Sequence, residues 1–251
     1  MTTMILPGAE PLFVNQGPDG VLVLHGFTGN PTSMRALAEG FVDAGYSVSL
    51  PRLPGHGTSV EDMMTTNWAD WSSAALAAYD ELAATCARVV VVGLSMGGGL
   101  SAYVAERREV AGVVFINPIV KHPGSELADG IQQLIDGGME SFESIGSDIK
   151  KEGSVESSYS ATPLRCVLSL FGGLDEDVTP GLATISAPAL LFSSREDHVV
   201  TPDNGDLLVA QVTGPIERLW LEDSYHVATL DNDAALLERT ALSFVAKVFA
   251  S

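Results

Sequence analysis

The run VVVVGLSMGGG, which begins at Val89, constrains the fold of this chain more than any other segment. Its four valines predict a strand that is buried on both faces, and the small and apolar residues that follow predict a helix. Between them Gly93, Ser95 and Gly97 form the pattern G-x-S-x-G in the strand, tight turn and helix context that this motif requires. A serine on such a turn has a strained backbone and an exposed hydroxyl, and the glycines let strand and helix pack closely. Ser95 is therefore a candidate nucleophile.

Apolar runs typical of buried strands alternate along the chain with stretches of helical periodicity. This alternation predicts an α/β fold with a mostly parallel central sheet flanked by helices. Strands are predicted over residues 20–24, 46–50, 89–92, 112–116, 189–192 and 216–221. Helices are predicted from Pro31 to Gly45, over residues 65–84 and over residues 233–249.

The segment between Asn117 and the predicted strand at 189 is too long for one ordinary connection of about two to six residues with a single helix. It contains short amphipathic pieces on either side of a polar stretch, residues 146–160. We therefore predict a small helical cap over the carboxyl end of the sheet, with the core in residues 1–118 and 181–251 and the cap in residues 119–180.

Charge and cysteine content exclude several classes of function. With 13 Lys and Arg against 32 Asp and Glu, the formal net charge is −19, which repels nucleic acid and anionic lipid. Only Cys86 and Cys166 occur, far apart and outside any metal-ligand spacing, so we expect two buried free thiols and no metal. The amino terminus lacks the features of a signal peptide, and no apolar run approaches the roughly 18 residues of a membrane span. We expect a soluble cytoplasmic protein without integral membrane association, present as a monomer or weak homodimer.

A serine nucleophile needs a base, and among the five histidines His226 is the best candidate. It follows the last predicted strand, where a loop at the carboxyl edge of the sheet reaches Ser95 from the far side. The other histidines are His25, His56, His122 and His198. We expect His25 to be a structural hydrogen-bonding residue.

The base needs an acid that holds its tautomer and orientation. Asp197 lies in the polar turn after the predicted strand at 189–192 and is the preferred candidate. Its rivals are Glu196, Asp223 and Asp175. The end of the preceding strand carries Asn117, whose amide cannot stabilise an imidazolium by charge.

Two backbone amides are predicted to bind the oxyanion that forms when Ser95 attacks a carbonyl. The amide of Met96 lies at the amino terminus of the helix after the nucleophile. The amide of Phe27 lies in the loop after the first predicted strand, where Gly26 and Gly29 allow the backbone to approach a substrate.

Five motifs resemble those of a known family. HGFTG, PRLPGHG, GLSMGG, SREDHVV and SYHVATLD, in this order and spacing, are similar to the bacterial carboxylesterases and monoacylglycerol lipases of the α/β-hydrolase superfamily. The resemblance covers nearly the whole chain outside the cap. It implies a serine esterase with no cofactor, the triad Ser95, Asp197 and His226, the oxyanion donors Phe27 and Met96, and an acyl pocket formed by the cap.

We therefore expect a serine esterase that acts on dispersed short- to medium-chain esters, including monoacylglycerols. Apolar cap residues are expected to line the acyl slot, and these are Ile131, Leu134, Ile135, Leu164, Val167, Leu168 and Phe171. The alternatives are a thioesterase or C–C hydrolase with the same triad, since fold and triad do not fix the leaving group, and a ligand sensor on this fold that hydrolyses slowly or not at all.

Overall fold

A seven-stranded sheet forms the centre of the protein in the computed structural model, which describes residues 4–144 and 146–251. Residues 1–3 of the predicted core and residue 145 of the predicted cap therefore lie outside the described residues. The strands in chain order are β1 (Leu12–Val14), β2 (Asp19–Leu24), β3 (Ser47–Leu50), β4 (Arg88–Leu94), β5 (Gly112–Ile116), β6 (Ser141–Glu143), β7 (Ala161–Pro163), β8 (Ala189–Ser194) and β9 (Ile216–Leu221).

The central sheet has the strand order β1-β3-β2-β4-β5-β8-β9. Only β1 is antiparallel to its neighbour, and all the other pairs are parallel. Strands β6 and β7 form a separate antiparallel pair. The predicted α/β architecture with a mostly parallel sheet is confirmed, and the carboxyl ends of β2, β4, β5, β8 and β9 meet at one edge of the sheet.

Eight α-helices surround the sheet in the described part of the chain. They are α1 (Arg35–Asp43), α2 (Val60–Met63), α3 (Trp68–Ala83), α4 (Met96–Ala105), α5 (Ser125–Asp136), α6 (Leu164–Gly173), α7 (Asp203–Gln211) and α8 (Ala234–Ala250). Among the helices of residues 4–144 and 146–251, none is long and apolar enough to cross a membrane.

Capping side chains shift two of the predicted helix starts. The turn at Pro31 is a short 3₁₀ helix whose cap, Asn30, accepts the amide hydrogen of Thr32, and α1 starts only at Arg35. Helix α3 begins at Trp68 rather than at residue 65. The reason is a capping box in which Asn67 accepts the Ala69 amide at 2.9 Å and the Asp70 carboxylate accepts the Asn67 amide at 3.0 Å.

Short elements were not predicted, namely β1, β6, β7, α2 and α7. Strands of three residues and a helix of four are too short to show a clear period, and α7 carries Gly205 and several polar residues within DNGDLLVAQ. The polar stretch 146–160 lies between α5 and α6 and forms neither helix nor strand.

The valine run explains why the sheet is covered on both faces. Val89 and Val91 belong to the apolar cluster on the side of α3 and α4, whereas Val90 and Val92 belong to the cluster on the side of α1 and α8. Each fully buried valine contributes roughly 1.5–3 kcal/mol. The apolar side chains that pack against the sheet from Met34, α1 and α3 are buried, namely Met34, Leu37, Ala38, Phe41, Trp68, Trp71, Ala75, Tyr79 and Leu82.

The close approach of α4 to β2 gives a test of the fold. A Cβ atom on Gly97 would lie 2.2 Å from the Leu24 carbonyl oxygen, so Gly97→Ala requires a backbone shift. We expect it to lower the free energy of unfolding by about 1–3 kcal/mol, as overpacking does. The control is Gly172→Ala on α6, where no atom lies within 4 Å of the added Cβ. Urea unfolding should show that this control is neutral or slightly stabilising; equal losses in both variants would contradict the packing argument.

Candidate active site

Ser95 lies on the sharp turn between β4 and α4. Its backbone angles are φ 57° and ψ −119°, outside the helical and extended regions. The turn is held by backbone hydrogen bonds from Ser95 to the Ile116 carbonyl at 3.0 Å and from Gly98 to the Ser95 carbonyl at 2.9 Å. A Cβ on Gly93 would lie 2.0 Å from the Gly97 carbonyl oxygen, so the turn requires glycine there. The Ser95 side chain thereby faces a cavity at the carboxyl edge of the sheet.

His226 and Asp197 form a buried pair beside the same cavity. Nδ1 of His226 lies 2.7 Å from Oδ2 of Asp197, and the two side chains are 8% and 2% exposed. The other Asp197 oxygen accepts the amide hydrogens of Val199 and Val200 at 2.9 and 2.8 Å, which fixes the carboxylate within its own turn. A proton on Nδ1 leaves Nε2 of His226 as an acceptor.

The rival acids do not contact His226. Glu196 and Asp223 are exposed and pair with Lys150 at 3.3 and 3.2 Å, and Asp175 is also exposed. Asn117 lies behind the His226 turn, where its amide group donates to the His226 carbonyl at 2.8 Å. Asn117 therefore supports the backbone of this turn.

The charges around His226 determine the direction of its pKa shift. Burial by itself lowers the pKa of His226. The charge and hydrogen bond of Asp197, together with the charges of Glu156 and Asp148, raise the pKa by more than burial lowers it. The net pKa of His226 lies above its ordinary value. The neutral form that can accept a proton is therefore favoured at a higher pH than for a free histidine.

The other histidines have different surroundings. Nε2 of His25 accepts the Leu53 amide hydrogen at 3.1 Å, so the Nδ1 proton donates to the Gly26 carbonyl at 3.0 Å. Burial lowers the pKa of His25 to about 3 and that of His56 to about 4, so both are neutral. His25 has the structural role that we expected: it ties the loop after β2 to Leu53. His122 and His198 lie near the surface and bond to Gly124 and Asp148.

The two residues predicted to donate to the oxyanion both lie next to Ser95. Met96 is the first residue of α4, and Phe27 belongs to the loop that His25 holds. A Cβ on Gly26 would lie 3.4 Å from the Ser95 Cβ, so this loop passes directly beside the serine. Within the described residues neither the Phe27 nor the Met96 amide donates a hydrogen bond to another residue.

The cavity in front of Ser95 has a volume of about 260 Å³. Of the apolar residues predicted to line it, only Val167 and Phe171 do so. The prediction is wrong for Leu134, which faces outward with 42% exposure. It is also wrong for four residues that pack against the core instead, namely Ile131, Ile135, Leu164 and Leu168. The other apolar lining residues are Phe27, Ile119, Pro123, Leu127, Phe142, Leu170, Val199, Val200 and Val227.

Residues 146–160, which we call the strap, contribute polar groups to the site that sequence reasoning missed. The strap runs from the His226 turn to the loop after β2: Asp148 accepts the His226 amide hydrogen at 3.0 Å, and Tyr159 donates to the Thr28 carbonyl at 3.2 Å. Glu156 lines the cavity, and burial raises the pKa of its carboxyl group. The segment is polar and has no period, so the sequence carried no signal that it enters the site.

Cys86 and Cys166 are buried free thiols, as the sequence predicted. In residues 4–144 and 146–251, no group of three or more His, Cys, Asp or Glu side chains is arranged to hold a metal ion.

Comparison with known proteins gives the family. Residues 21–239 match the sequence model of the alpha/beta hydrolase family. A thermostable monoacylglycerol lipase of Bacillus sp. (strain H-257) is 43% identical over 248 residues, which cover 97% of this chain and 96% of that protein. A carboxylesterase of Bacillus subtilis (strain 168) is 26% identical over 242 residues, with 95% and 97% covered.

The similarity extends to three dimensions. A solved structure described with two metagenome-derived lipolytic enzymes, LipS and LipT, superposes with a TM-score of 0.92 at 42% identity and covers 97% of this chain and 100% of that one. The range matched by the family model, residues 21–239, includes the serine turn and the loops that carry Asp197 and His226. This chain belongs to the alpha/beta hydrolase family.

Proposed function

We propose that this protein is a serine esterase that hydrolyses short- to medium-chain carboxylic esters, including monoacylglycerols, with Ser95, His226 and Asp197 as its catalytic triad. That the protein is a carboxylic ester hydrolase follows from its family and from its similarity to a monoacylglycerol lipase and a carboxylesterase. The observation that carries the finer proposal is that Ser95, His226 and Phe27 line one cavity and that His226 is paired with the buried Asp197.

In the proposed acylation step, Ser95 Oγ attacks the ester carbonyl carbon while Nε2 of His226 accepts the hydroxyl proton. Asp197 stabilises the imidazolium that forms. The amides of Phe27 and Met96 donate to the oxyanion, and each donor contributes about 3–4 kcal/mol. When the tetrahedral intermediate collapses, the alcohol leaves with the proton from His226, and the acyl group remains on Ser95.

In the proposed deacylation step, water takes the place of the alcohol. His226 accepts a proton from the water, whose oxygen attacks the acyl carbonyl carbon. The same two amides donate to the second oxyanion. Collapse of this intermediate returns the proton to Ser95 Oγ and releases the carboxylic acid, so the cycle requires no cofactor.

The size and lining of the cavity support a small ester with an apolar acyl part. Its volume of about 260 Å³ is slightly below the range typical of pockets for drug-sized ligands, roughly 300–1,000 Å³. Val167, Leu170 and Phe171 present apolar surface from one helix, and each acyl methylene buried there contributes about 0.8 kcal/mol. The net charge of −19 gives the protein no electrostatic attraction to an anionic lipid surface.

We expect Asp197→Asn to lower kcat by about 10⁴-fold, because the amide keeps the shape of the acid but favours the wrong tautomer of His226. Glu196→Gln is the matched control, since Glu196 is adjacent in sequence but 57% exposed and pairs with Lys150. It should change kcat little. Steady-state turnover of a p-nitrophenyl ester checks both variants, and the reverse result would assign the acid to Glu196.

We expect kcat/KM for p-nitrophenyl esters to rise about fourfold for each added acyl methylene until the slot is full, and then to fall. A 1-monoacylglycerol with the best acyl chain should be hydrolysed faster than an emulsified triacylglycerol. A profile that stays flat with chain length, or strong activation by a triacylglycerol emulsion, would contradict the substrate proposal. Faster hydrolysis of a thioester with the same acyl chain would contradict the choice of leaving group.

A variant of the cavity wall makes this test sharper. Val167→Phe adds volume inside the cavity and should move the preferred ester to a shorter chain. Leu134→Phe adds the same kind of ring outside the cavity, at a side chain that is 42% exposed, and should leave the preference unchanged.

A further inference from the structure

One carboxylate of the strap joins the two turns that carry His226 and Asp197. Oδ2 of Asp148 accepts the backbone amide hydrogens of His226 at 3.0 Å and of His198 at 3.1 Å. Its Oδ1 lies 2.8 Å from Nδ1 of His198, and its backbone carbonyl accepts the amide hydrogen of Val227 at 3.1 Å. Through Asp148 alone, the strap is thus bonded both to the turn after β9 and to the turn after β8.

These contacts account for the burial of a charged group in an acidic protein. The Asp148 side chain is only 13% exposed, and a carboxylate in such a place is costly unless it is hydrogen-bonded. Here two backbone donors and one ring nitrogen satisfy it. Its position is therefore well determined.

The linked turns are the ones whose separation matters for the proposed reaction. Asp197 immediately precedes His198, and its side chain reaches His226 Nδ1 at 2.7 Å. Because the His198 and His226 amides donate to the same oxygen, the distance between the backbones of these two turns is fixed. The contact between Asp197 and His226 depends on that distance. The strap belongs to neither turn, so it acts as an external brace.

Asp148 also contributes charge at the imidazole. The ionisable groups that raise the pKa of His226 are Asp197, Glu156 and Asp148, acting against the effect of burial. Removing the negative charge at residue 148 therefore lowers the pKa of His226 and extends its neutral form to lower pH.

We propose that Asp148 is a positioning residue for catalysis, whose carboxylate sets the separation of the His226 and His198 backbones and so brings His226 Nδ1 to Asp197. The proposal rests on the triad described under the proposed function. Asp148 does not exchange a proton with the substrate in this role.

The test compares Asp148→Ala, Asp148→Asn and Glu152→Ala for kcat, KM and the pH dependence of p-nitrophenyl ester hydrolysis, with urea unfolding of each variant. Asp148→Ala should lower kcat between about 10-fold and 100-fold with a smaller change in KM, because the pair is misplaced. Asp148→Asn keeps an oxygen that can accept both amide hydrogens, so it should restore most of kcat while the midpoint of the pH profile moves to lower pH. Glu152→Ala removes an exposed strap carboxylate and should resemble the wild type.

An Asp148→Ala variant with wild-type kcat and pH midpoint would overturn the inference. So would equal losses of kcat in the Ala and Asn variants, which would indicate a purely structural role. If Asp148→Ala does not fold, Asp148→Asn decides: an unchanged pH midpoint overturns the proposal. Asp197→Asn separates the proposed triad from the proposed role of Asp148. Full activity of Asp197→Asn would refute the triad. An inactive Asp197→Asn together with an unaffected Asp148→Ala would refute only the positioning role of Asp148.

Discussion

The site depends on a close approach of backbones at the turn between β4 and α4. A side chain at Gly97 would collide with the Leu24 carbonyl of β2, and one at Gly93 would collide with Gly97 itself. Because both positions lack a Cβ, α4 starts directly over the ends of β2 and β4. Met96 is then the first residue of α4, directly after Ser95, and the end of β2 brings the loop of Gly26 and Phe27 beside Ser95. The positions of the proposed nucleophile and the proposed oxyanion donors are thus a consequence of packing.

The strap forms a part of the cavity wall that the edge of the sheet does not supply. It is held by hydrogen bonds from its polar residues, and carboxylates make several of them. Asp231, which is 1% exposed, accepts the strap amide hydrogens of Lys150 and Lys151 and the amide hydrogen of Tyr225, next to His226. With Asp148 this makes two buried carboxylates that tie one segment to the turn of the proposed base. Such fully satisfied polar networks specify a single arrangement of their parts.

The sequence predicted what depends on local pattern. Six strands could be predicted because buried strands are continuous apolar runs. Ser95, Asp197 and His226 could be proposed because polar residues follow these strands at the edge of the sheet. The start of α3 could not be read from apolar periodicity, because the capping box at Asn67 decides it. The outward direction of Leu134 depends on which face of α5 packs against the core. The course of the strap depends on contacts with Thr28, His226 and Asp231, which leave no periodic signal.

In the proposed mechanism Ser95 forms a covalent intermediate with His226 as its base, and covalent labelling of Ser95 probes this step. The wild type is treated with a fluorophosphonate ester, and the modified peptide is identified by mass spectrometry, with Ser95→Ala and His226→Ala treated in parallel. We expect one adduct on the peptide that contains Ser95, none in Ser95→Ala, and much slower labelling in His226→Ala. A label on another residue, or ester hydrolysis by purified Ser95→Ala near the wild-type rate, would contradict it.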